Sequence, residues 1–274
     1  MRLLQRKQSL VNFLLLIYIS GGLLFSGLAL KVMTFNQTKP SRAKTRLKAL
    51  SARFQSLVGS ILFLGLASAV SALFFFAWLA DEVLEGDAKM FDETVRLYAH
   101  GFANESLTAL MLFITMLGST LFLSFLCVSI FVIFIIKNWK RGAVLLMTTM
   151  AGAVILNFAL KVSFGRVRPD PFFDTPLPAS YSFPSGHSLY AVCFYGVLAW
   201  LITARIQNKS LRIFIWSLAV LLALLIGLSR IYLGVHYPSD VIAGFAVAIV
   251  WILTVILIDF TLKKRKGFFK NNPV

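Results

Sequence analysis

The sequence has few of the residues on which metal sites and disulfides depend. Of its 274 residues only two are Cys and three are His. Cys127 and Cys193 each lie inside a long apolar run, where disulfide exchange is not expected, so we predict that both are packing residues. Clustered His and Cys ligands for a transition metal are equally scarce, and we therefore predict no metal and no other cofactor.

Charge is also scarce, and its scarcity excludes a soluble globular protein. Charged residues make up 14% of the chain and hydrophobic residues 58%, with 26 Phe and a mean hydropathy of +0.82. Ordinary soluble domains are about 45–50% apolar. A chain this apolar is not disordered, and its 17 Gly and 8 Pro are too few for a collagen-like or low-complexity segment. The composition therefore predicts a polytopic membrane protein.

Seven apolar runs are long enough, with their flanking residues, to cross a bilayer, which requires about 20 predominantly apolar positions. We predict an all-α polytopic membrane helix bundle, with a core of six helices and one extra N-terminal apolar helix. The runs are 10–30, 56–80, 109–136, 142–160, 188–204, 213–228 and 241–258. The predicted organisation is an apolar helix with a basic cytoplasmic linker over 1–55, the six-helix core over 56–262 and a basic cytoplasmic tail over 263–274. Whether the first run spans the membrane or lies in its interface is left open.

The charges between the runs are segregated by sign. Residues 31–55 hold seven basic residues and no acid, whereas residues 81–108 hold 7 of the 11 acids in the chain. The positive-inside rule therefore places the first segment in the cytoplasm and the second outside. We expect His100 and its acidic neighbours in the second segment to be solvated. Because orientation explains the net charge of +16, we predict contacts with anionic membrane lipids and no nucleic-acid partner.

Several basic residues break this pattern, because they lie beside spanning helices on the predicted outer side. They belong to three segments: Lys161 to Pro169, Phe183 to His187, and Ser229 to Asp240. Residues 170–183 contain three Pro and are too short to cross the bilayer, so the first two segments share a side. The chain then crosses twice between the second and third segments. All three are therefore predicted to meet at one membrane face.

The residue types in these segments predict a phosphate site. Arg168 and Arg230 can each form forked hydrogen bonds to phosphate oxygens, and Lys161 adds a point charge. Of two imidazoles, a neutral one can attack phosphorus while a protonated one donates a proton to the leaving oxygen. Asp240 follows His236 by four residues and can hold the attacking imidazole in the required tautomer.

Two further residues of these segments have more than one predicted role. The stretch Pro184-Ser185-Gly186-His187 opens a helix, where Ser185 can cap the helix, contact phosphate, or do both. Arg166 lies between Lys161 and Arg168 and can pair equally with a lipid headgroup, Asp170 or Asp174. We therefore leave Arg166 outside the predicted catalytic set.

The three patterns, Lys-x6-Arg-Pro, Pro-Ser-Gly-His and Ser-Arg-x5-His-x3-Asp, together resemble the signature motifs of the type 2 phosphatidic acid phosphatase (PAP2) superfamily. The resemblance covers about residues 56–260 and implies a six-helix core with metal-independent chemistry. It implies that His236 is the nucleophile, His187 the general acid and Asp240 the residue that orients the nucleophile. The phosphate cradle that it implies consists of Lys161, Arg168, Ser185, Gly186 and Arg230. The superfamily also contains soluble haloperoxidases, which lack spanning helices, so the membrane branch fits better.

The resemblance implies a multi-pass phosphatase that acts on a lipid phosphate or diphosphate through a phosphohistidine intermediate. The expected location is a bacterial cytoplasmic membrane, with the active site on the extracytoplasmic side. Our first expectation for the substrate is undecaprenyl diphosphate, with phosphatidylglycerophosphate or phosphatidic acid as alternatives. A non-catalytic binder of lipid headgroups or a transporter is the alternative from another functional class. The sequence assigns no oligomeric state.

Overall fold

The protein is mostly helical in the part that the structure describes. The structure, a computed structural model, describes residues 42–271 except 174–177, and side chains over 63–262 outside that gap. These residues form eight helices and no strand, which confirms the predicted all-α class. The helices are α1 (Arg42–Glu85), α2 (Lys89–His100), α3 (Glu105–Leu117), α4 (Thr120–Ile136), α5 (Lys140–Phe164), α6 (Gly186–Thr203), α7 (Lys209–Tyr232) and α8 (Pro238–Asn271). The predicted apolar helix at 10–30 lies outside the described residues.

The described helices account for the six predicted core runs. Five segments are long and apolar enough to cross a membrane: Phe63–Glu85, Lys140–Phe164, Gly186–Thr203, Lys209–Tyr232 and Pro238–Leu262. Helices α3 and α4 pass the same test as a bent pair and, counted as one span, bring the number to six. The chain divides into two compact units, residues 1–64 and 65–274, and the bundle described below lies in the second.

The predicted run at 109–136 is not one straight helix, because α3 and α4 meet at an angle of 44°. Gly118 is the C-cap of α3, and Ser119 caps α4, its side chain accepting a hydrogen bond from the backbone N–H of Phe122. The side chain of Ile226 on α7 packs so closely against Gly118 that a Cβ there would overlap it. A local cap and a close helix contact therefore produce the bend.

The acidic segment 81–108 contains a helix, α2, two of whose charged side chains are buried in the protein. Asp92 is fully buried and Arg96 is 9% exposed. The large apolar side chains of α2 point away from the protein: Met90, Phe91, Leu97 and Tyr98. His100 is partly buried, and its ring stacks on Phe172 with 4.1 Å between centroids. The expectation that the acidic residues and His100 are solvated is therefore wrong for Asp92 and for His100, because distant parts of the chain cover both.

Helix α6 is central in the bundle and packs against α5, α7 and α8. Small residues allow the close approach of these helices, as is common between membrane helices. Gly244 of α8 lies against the first turn of α6, where an added Cβ would be only 2.7 Å from the carbonyl oxygen of Ser185. The start of α6 and the first turns of α8 are thus in direct backbone contact.

The two ends of the bundle carry different polar groups. Lys161 lies near the C-terminal end of α5, whereas Arg141 lies near its N-terminal end, about 30 Å away at the rise of an α-helix. Arg141 pairs there with Asp259 of α8, and Arg205 lies 3.6 Å from the ring centroid of Trp139. Arg141 and Arg205 therefore lie at the opposite end of the bundle from the three motif segments.

Candidate active site

The three motif segments meet at one end of the bundle, as the topology predicts. The backbone N–H of Ser185 donates to the carbonyl of Asp240 at 2.9 Å, which joins the second segment to the third. Arg168 donates to the carbonyl of Val235 at 3.0 Å and so joins the first to the third. Lys161 donates to the carbonyl groups of Tyr181 and Ser182, beside the second segment. Residues separated by up to 79 positions along the chain thus form one cluster.

The centre of this cluster is a buried imidazole–carboxylate pair. Nδ1 of His236 lies 3.2 Å from Oδ2 of Asp240. The same carboxylate oxygen accepts hydrogen bonds from the backbone N–H of Tyr237, at 2.9 Å, and from the hydroxyl of Ser182. The hydrogen-bond network therefore assigns the proton of a neutral His236 to Nδ1 and leaves Nε2 unprotonated, as an acceptor.

Burial controls the charge of this imidazole. His236 is 2% exposed, and burial lowers its pKa to about 3 although Asp240 acts in the opposite direction. His236 is therefore neutral at neutral pH, which a nucleophile requires.

Arg168 places a positive charge beside the unprotonated nitrogen and donates a hydrogen bond to it. Its Nη1 lies 3.0 Å from Nε2 of His236, and its Nε donates to the carbonyl of Ser180 at 2.8 Å. Burial lowers the pKa of Arg168 and Asp240 partly opposes this change, but a guanidinium keeps its charge in proteins. An anion attacked by Nε2 would therefore meet a fixed cation at the point of attack.

Two other cations are almost completely buried at the same end. Lys161 is 8% exposed and Arg230 is 6% exposed. Nη1 of Arg230 donates to the hydroxyl of Thr115 at 2.7 Å, while its buried Nε has no hydrogen-bond partner among the described residues. Burying cations is costly unless anions accompany them, so this grouping favours a ligand with several negative oxygens.

The first turn of α6 supplies the remaining predicted residues. Ser185 caps the helix, because its hydroxyl accepts from the backbone N–H of Ser188 at 3.5 Å and from the hydroxyl of Ser188 at 3.0 Å. Gly186 lies over Asn157, whose Nδ2 would be 3.2 Å from an added Cβ. The capping role of Ser185 is thus observed, while phosphate contact by Ser185 and Gly186 stays a prediction.

His187 lies on the first turn of α6, close enough to His236, Arg230 and Arg168 to interact with them electrostatically. Its imidazole forms no side-chain hydrogen bond within the described part of the chain and is partly exposed. The ring is therefore free to contact a leaving group, and its role as general acid stays a prediction.

The sequence prediction missed a second layer of polar residues behind the imidazole–carboxylate pair. Arg166 donates at 2.7 Å to Asp240 and at 2.7 Å to Asp92, so the predicted choice among a lipid headgroup, Asp170 and Asp174 is wrong. Ser182 and Ser239 complete this layer. One signal was present: Asp92 and Arg96 have the i, i+4 spacing of one helix face, opposite the apolar residues of α2.

Comparison with known proteins agrees with the family resemblance of the three motif segments. Residues 142–264 match the PAP2 superfamily family model. Phosphatidylglycerophosphatase B of Bacillus subtilis (strain 168) is 33% identical over 198 residues, covering 71% of this chain and 96% of that protein. An undecaprenyl-diphosphatase of Sulfolobus acidocaldarius is 32% identical over 116 residues, covering 40% of this chain and 52% of that protein.

A solved structure agrees with these relatives. The crystal structure of a transmembrane PAP2-type phosphatidylglycerolphosphate phosphatase from Bacillus subtilis matches with a TM-score of 0.66 and 31% identity. The match covers 71% of this chain and 96% of that one. The predicted fold, an integral membrane helix bundle, is confirmed. With the motif segments assembled at one end of such a bundle, the chain belongs to the PAP2 superfamily, on its membrane lipid phosphatase branch.

Proposed function

We propose that this protein removes a phosphate from a membrane lipid phosphate or diphosphate through a phosphohistidine formed on His236. Family membership makes the chain a lipid phosphate hydrolase. The observation that carries the mechanism is the neutral, buried imidazole of His236, with Nδ1 facing Asp240 and Nε2 lying 3.0 Å from Arg168. In this arrangement Nε2 is unprotonated and accepts from Arg168; when Arg168 donates to a phosphate oxygen instead, the Nε2 lone pair is released for attack beside a cation.

The first chemical step forms a nitrogen–phosphorus bond and breaks the phosphorus–oxygen bond to the lipid. Nε2 of His236 attacks phosphorus, and its imidazole becomes a cation that Asp240 stabilises. His187, protonated, gives its proton to the leaving oxygen. Fixed cations neutralise the charge of the transferring group at the positions predicted for the phosphate cradle: Lys161, Arg168 and Arg230.

The second step releases phosphate and restores the enzyme. A water molecule attacks the phosphohistidine while neutral His187 accepts its proton, so the nitrogen–phosphorus bond breaks and His236 is again neutral. No step uses a metal ion.

The substrate is a lipid because the site lies at the rim of a membrane-spanning bundle. There a phosphate can enter while the tail stays in the bilayer. Similarity to phosphatidylglycerophosphatase B and to undecaprenyl-diphosphatase supports phosphatidylglycerophosphate and undecaprenyl diphosphate as candidates, and the former is as well supported as the latter. The charge distribution supports an extracytoplasmic site.

A substitution of the nucleophile tests this proposal. In purified protein in detergent or vesicles, His236→Ala should abolish phosphate release from both candidate lipids, because the phosphoenzyme cannot form. His100→Ala removes an imidazole outside the site and should keep near wild-type turnover. Rapid quenching in alkaline detergent, where the nitrogen–phosphorus bond of phosphohistidine is stable, should trap label from the substrate phosphate only where His236 is present. Near wild-type turnover by His236→Ala would refute the mechanism, and lipid binding without turnover by the wild type would favour the non-catalytic alternative.

A further inference from the structure

Helix α2 has an arrangement that no motif of the sequence requires. Its buried positions carry an acid and a base, Asp92 and Arg96, while Met90, 81% exposed, and Leu97, 58% exposed, point away from the protein. A fully buried carboxylate is rare unless it is paired. The partners of Asp92 therefore indicate what the inner face of α2 does.

Within the described residues, the hydrogen-bond donors to the Asp92 carboxylate all lie beside the catalytic pair. Its Oδ1 accepts from the backbone N–H of Ser239 at 2.9 Å, and its Oδ2 accepts from the Ser239 hydroxyl at 2.7 Å. Oδ2 also accepts from Nη2 of Arg166 at 2.7 Å. Asp92 thus holds both the residue that precedes Asp240 on α8 and the arginine that binds Asp240.

Arg166 connects the two carboxylates. Its Nη1 donates to Oδ1 of Asp240 at 2.7 Å and to the hydroxyl of Ser239 at 2.8 Å. The guanidinium lies 4.2 Å from the ring centroid of Tyr237, which restricts its plane. Because Arg166 occupies Oδ1 of Asp240, the other oxygen is directed at His236.

We propose that Asp92 is a positioning residue, which acts through Arg166 and Ser239 to fix the carboxylate of Asp240 and thereby the orientation of His236. The proposal rests on the proposed function, since it assumes that His236 is the nucleophile. Each carboxylate oxygen of Asp240 has assigned donors, so rotation of this carboxylate requires breaking the bond to Arg166. Arg166 in turn is held by Asp92, which comes from a separate helix.

Loss of the hydrogen bonds from Arg166 and Ser239 to Asp92 should slow the chemical step and leave substrate binding almost unchanged. Asp92→Asn preserves the shape of the side chain but turns an amide group toward Arg166 or Ser239, which are donors themselves. A displacement of about 1 Å in a reacting group costs about 100-fold in rate, so we expect kcat to fall by about 100-fold. KM should stay within about threefold, because no cation of the predicted phosphate cradle contacts Asp92.

The experiment compares Asp92→Asn with Glu93→Gln, a matched change on the same helix. Glu93 pairs with Arg96 through Nη2 at 2.9 Å and does not contact Asp240 or His236. We expect Glu93→Gln to keep kcat within about twofold of wild type, as surface changes usually do. Equal kcat for the two variants would overturn the proposal.

A double-mutant cycle separates positioning from a structural role. If Asp92 acts through Asp240, adding Asp92→Asn to Asp240→Asn should lower kcat by less than about threefold, whereas independent effects would multiply. Multiplicative losses would show that Asp92 acts elsewhere and would overturn the proposal. If Asp92→Asn does not fold, Arg166→Gln in the same cycle tests the same connection, with the same two outcomes.

The proposed function can fail separately. Retained turnover in His236→Ala would refute the nucleophile assignment, whatever Asp92 does. Loss of turnover in His236→Ala, with Asp92→Asn indistinguishable from Glu93→Gln, would refute only the positioning role. Thermal unfolding of each variant should confirm that the loss of kcat is not a loss of folded protein.

Discussion

Gly244→Ala should impair catalysis although it adds one methyl group to a residue without functional atoms. The added Cβ would lie 2.7 Å from the carbonyl oxygen of Ser185 and 3.0 Å from Cβ of Ser188. The shortest ordinary contact is 3.4 Å, so α6 and α8 must separate there by about 0.7 Å. This contact lies between the first turn of α6, which carries His187, and α8, which carries Asp240.

The expected cost follows from that displacement. Overpacking of this kind destabilises a protein by about 1–3 kcal/mol. A misplacement of about 1 Å between reacting groups costs about 100-fold in rate, so a separation of about 0.7 Å should lower kcat/KM by tens of fold. The two effects are separable, because the folded fraction is measured independently of the rate.

Gly196→Ala is the matched control, since it adds a methyl group between the same two helices away from the site. Its Cβ would meet only Cδ1 of Ile252, at 3.0 Å, and this end of a flexible side chain can move. Phosphate release from a lipid phosphate in detergent micelles, with thermal unfolding in the same detergent, measures both effects. The reasoning is wrong if both variants have the same kcat/KM, or if Gly244→Ala loses activity only in proportion to its folded fraction.

Two further predictions concern protonation and metal ions. Burial lowers the pKa of His236 from 6.5 to about 3, so the unfolded chain binds more protons between these values. The contribution of His236 to stability is therefore complete above about pH 6.5 and is lost as the pH falls toward 3. NMR titration of 15N-labelled His should show a neutral His236 at pH 5, and a midpoint near 6.5 would contradict the burial argument. Phosphate release should be unchanged by excess chelator, because the fixed cations Lys161, Arg168 and Arg230 supply the positive charge that a metal ion would otherwise give to the transferring group. A loss of activity that added Mg²⁺ restores would refute this expectation.

The membrane class and the site segments were predictable from the sequence because each depends on local information. A span requires about 20 apolar residues, and charge in the connecting segments predicts orientation. The convergence of Lys161, His187 and His236 also followed from counting crossings. To predict this convergence, it is enough to know on which side of the membrane each segment lies.

The bend between α3 and α4 was not predicted, because hydropathy does not distinguish a continuous helix from two helices joined at Gly118 and Ser119. The burial of Asp92 was not predicted either. An acidic residue in an acidic segment has the composition of a solvated loop, and its partners Arg166 and Ser239 lie 74 and 147 residues away.

By itself the sequence determined that the protein is a membrane helix bundle and which segments bring imidazoles and cations to one end of it. Both conclusions depend on hydrophobicity and on the number of crossings, which neighbouring residues determine. Only the tertiary structure decided which groups face each other: that Arg166 joins Asp92 to Asp240, and that burial keeps His236 neutral. These properties depend on distances and on exclusion of water, which are determined only when the helices pack.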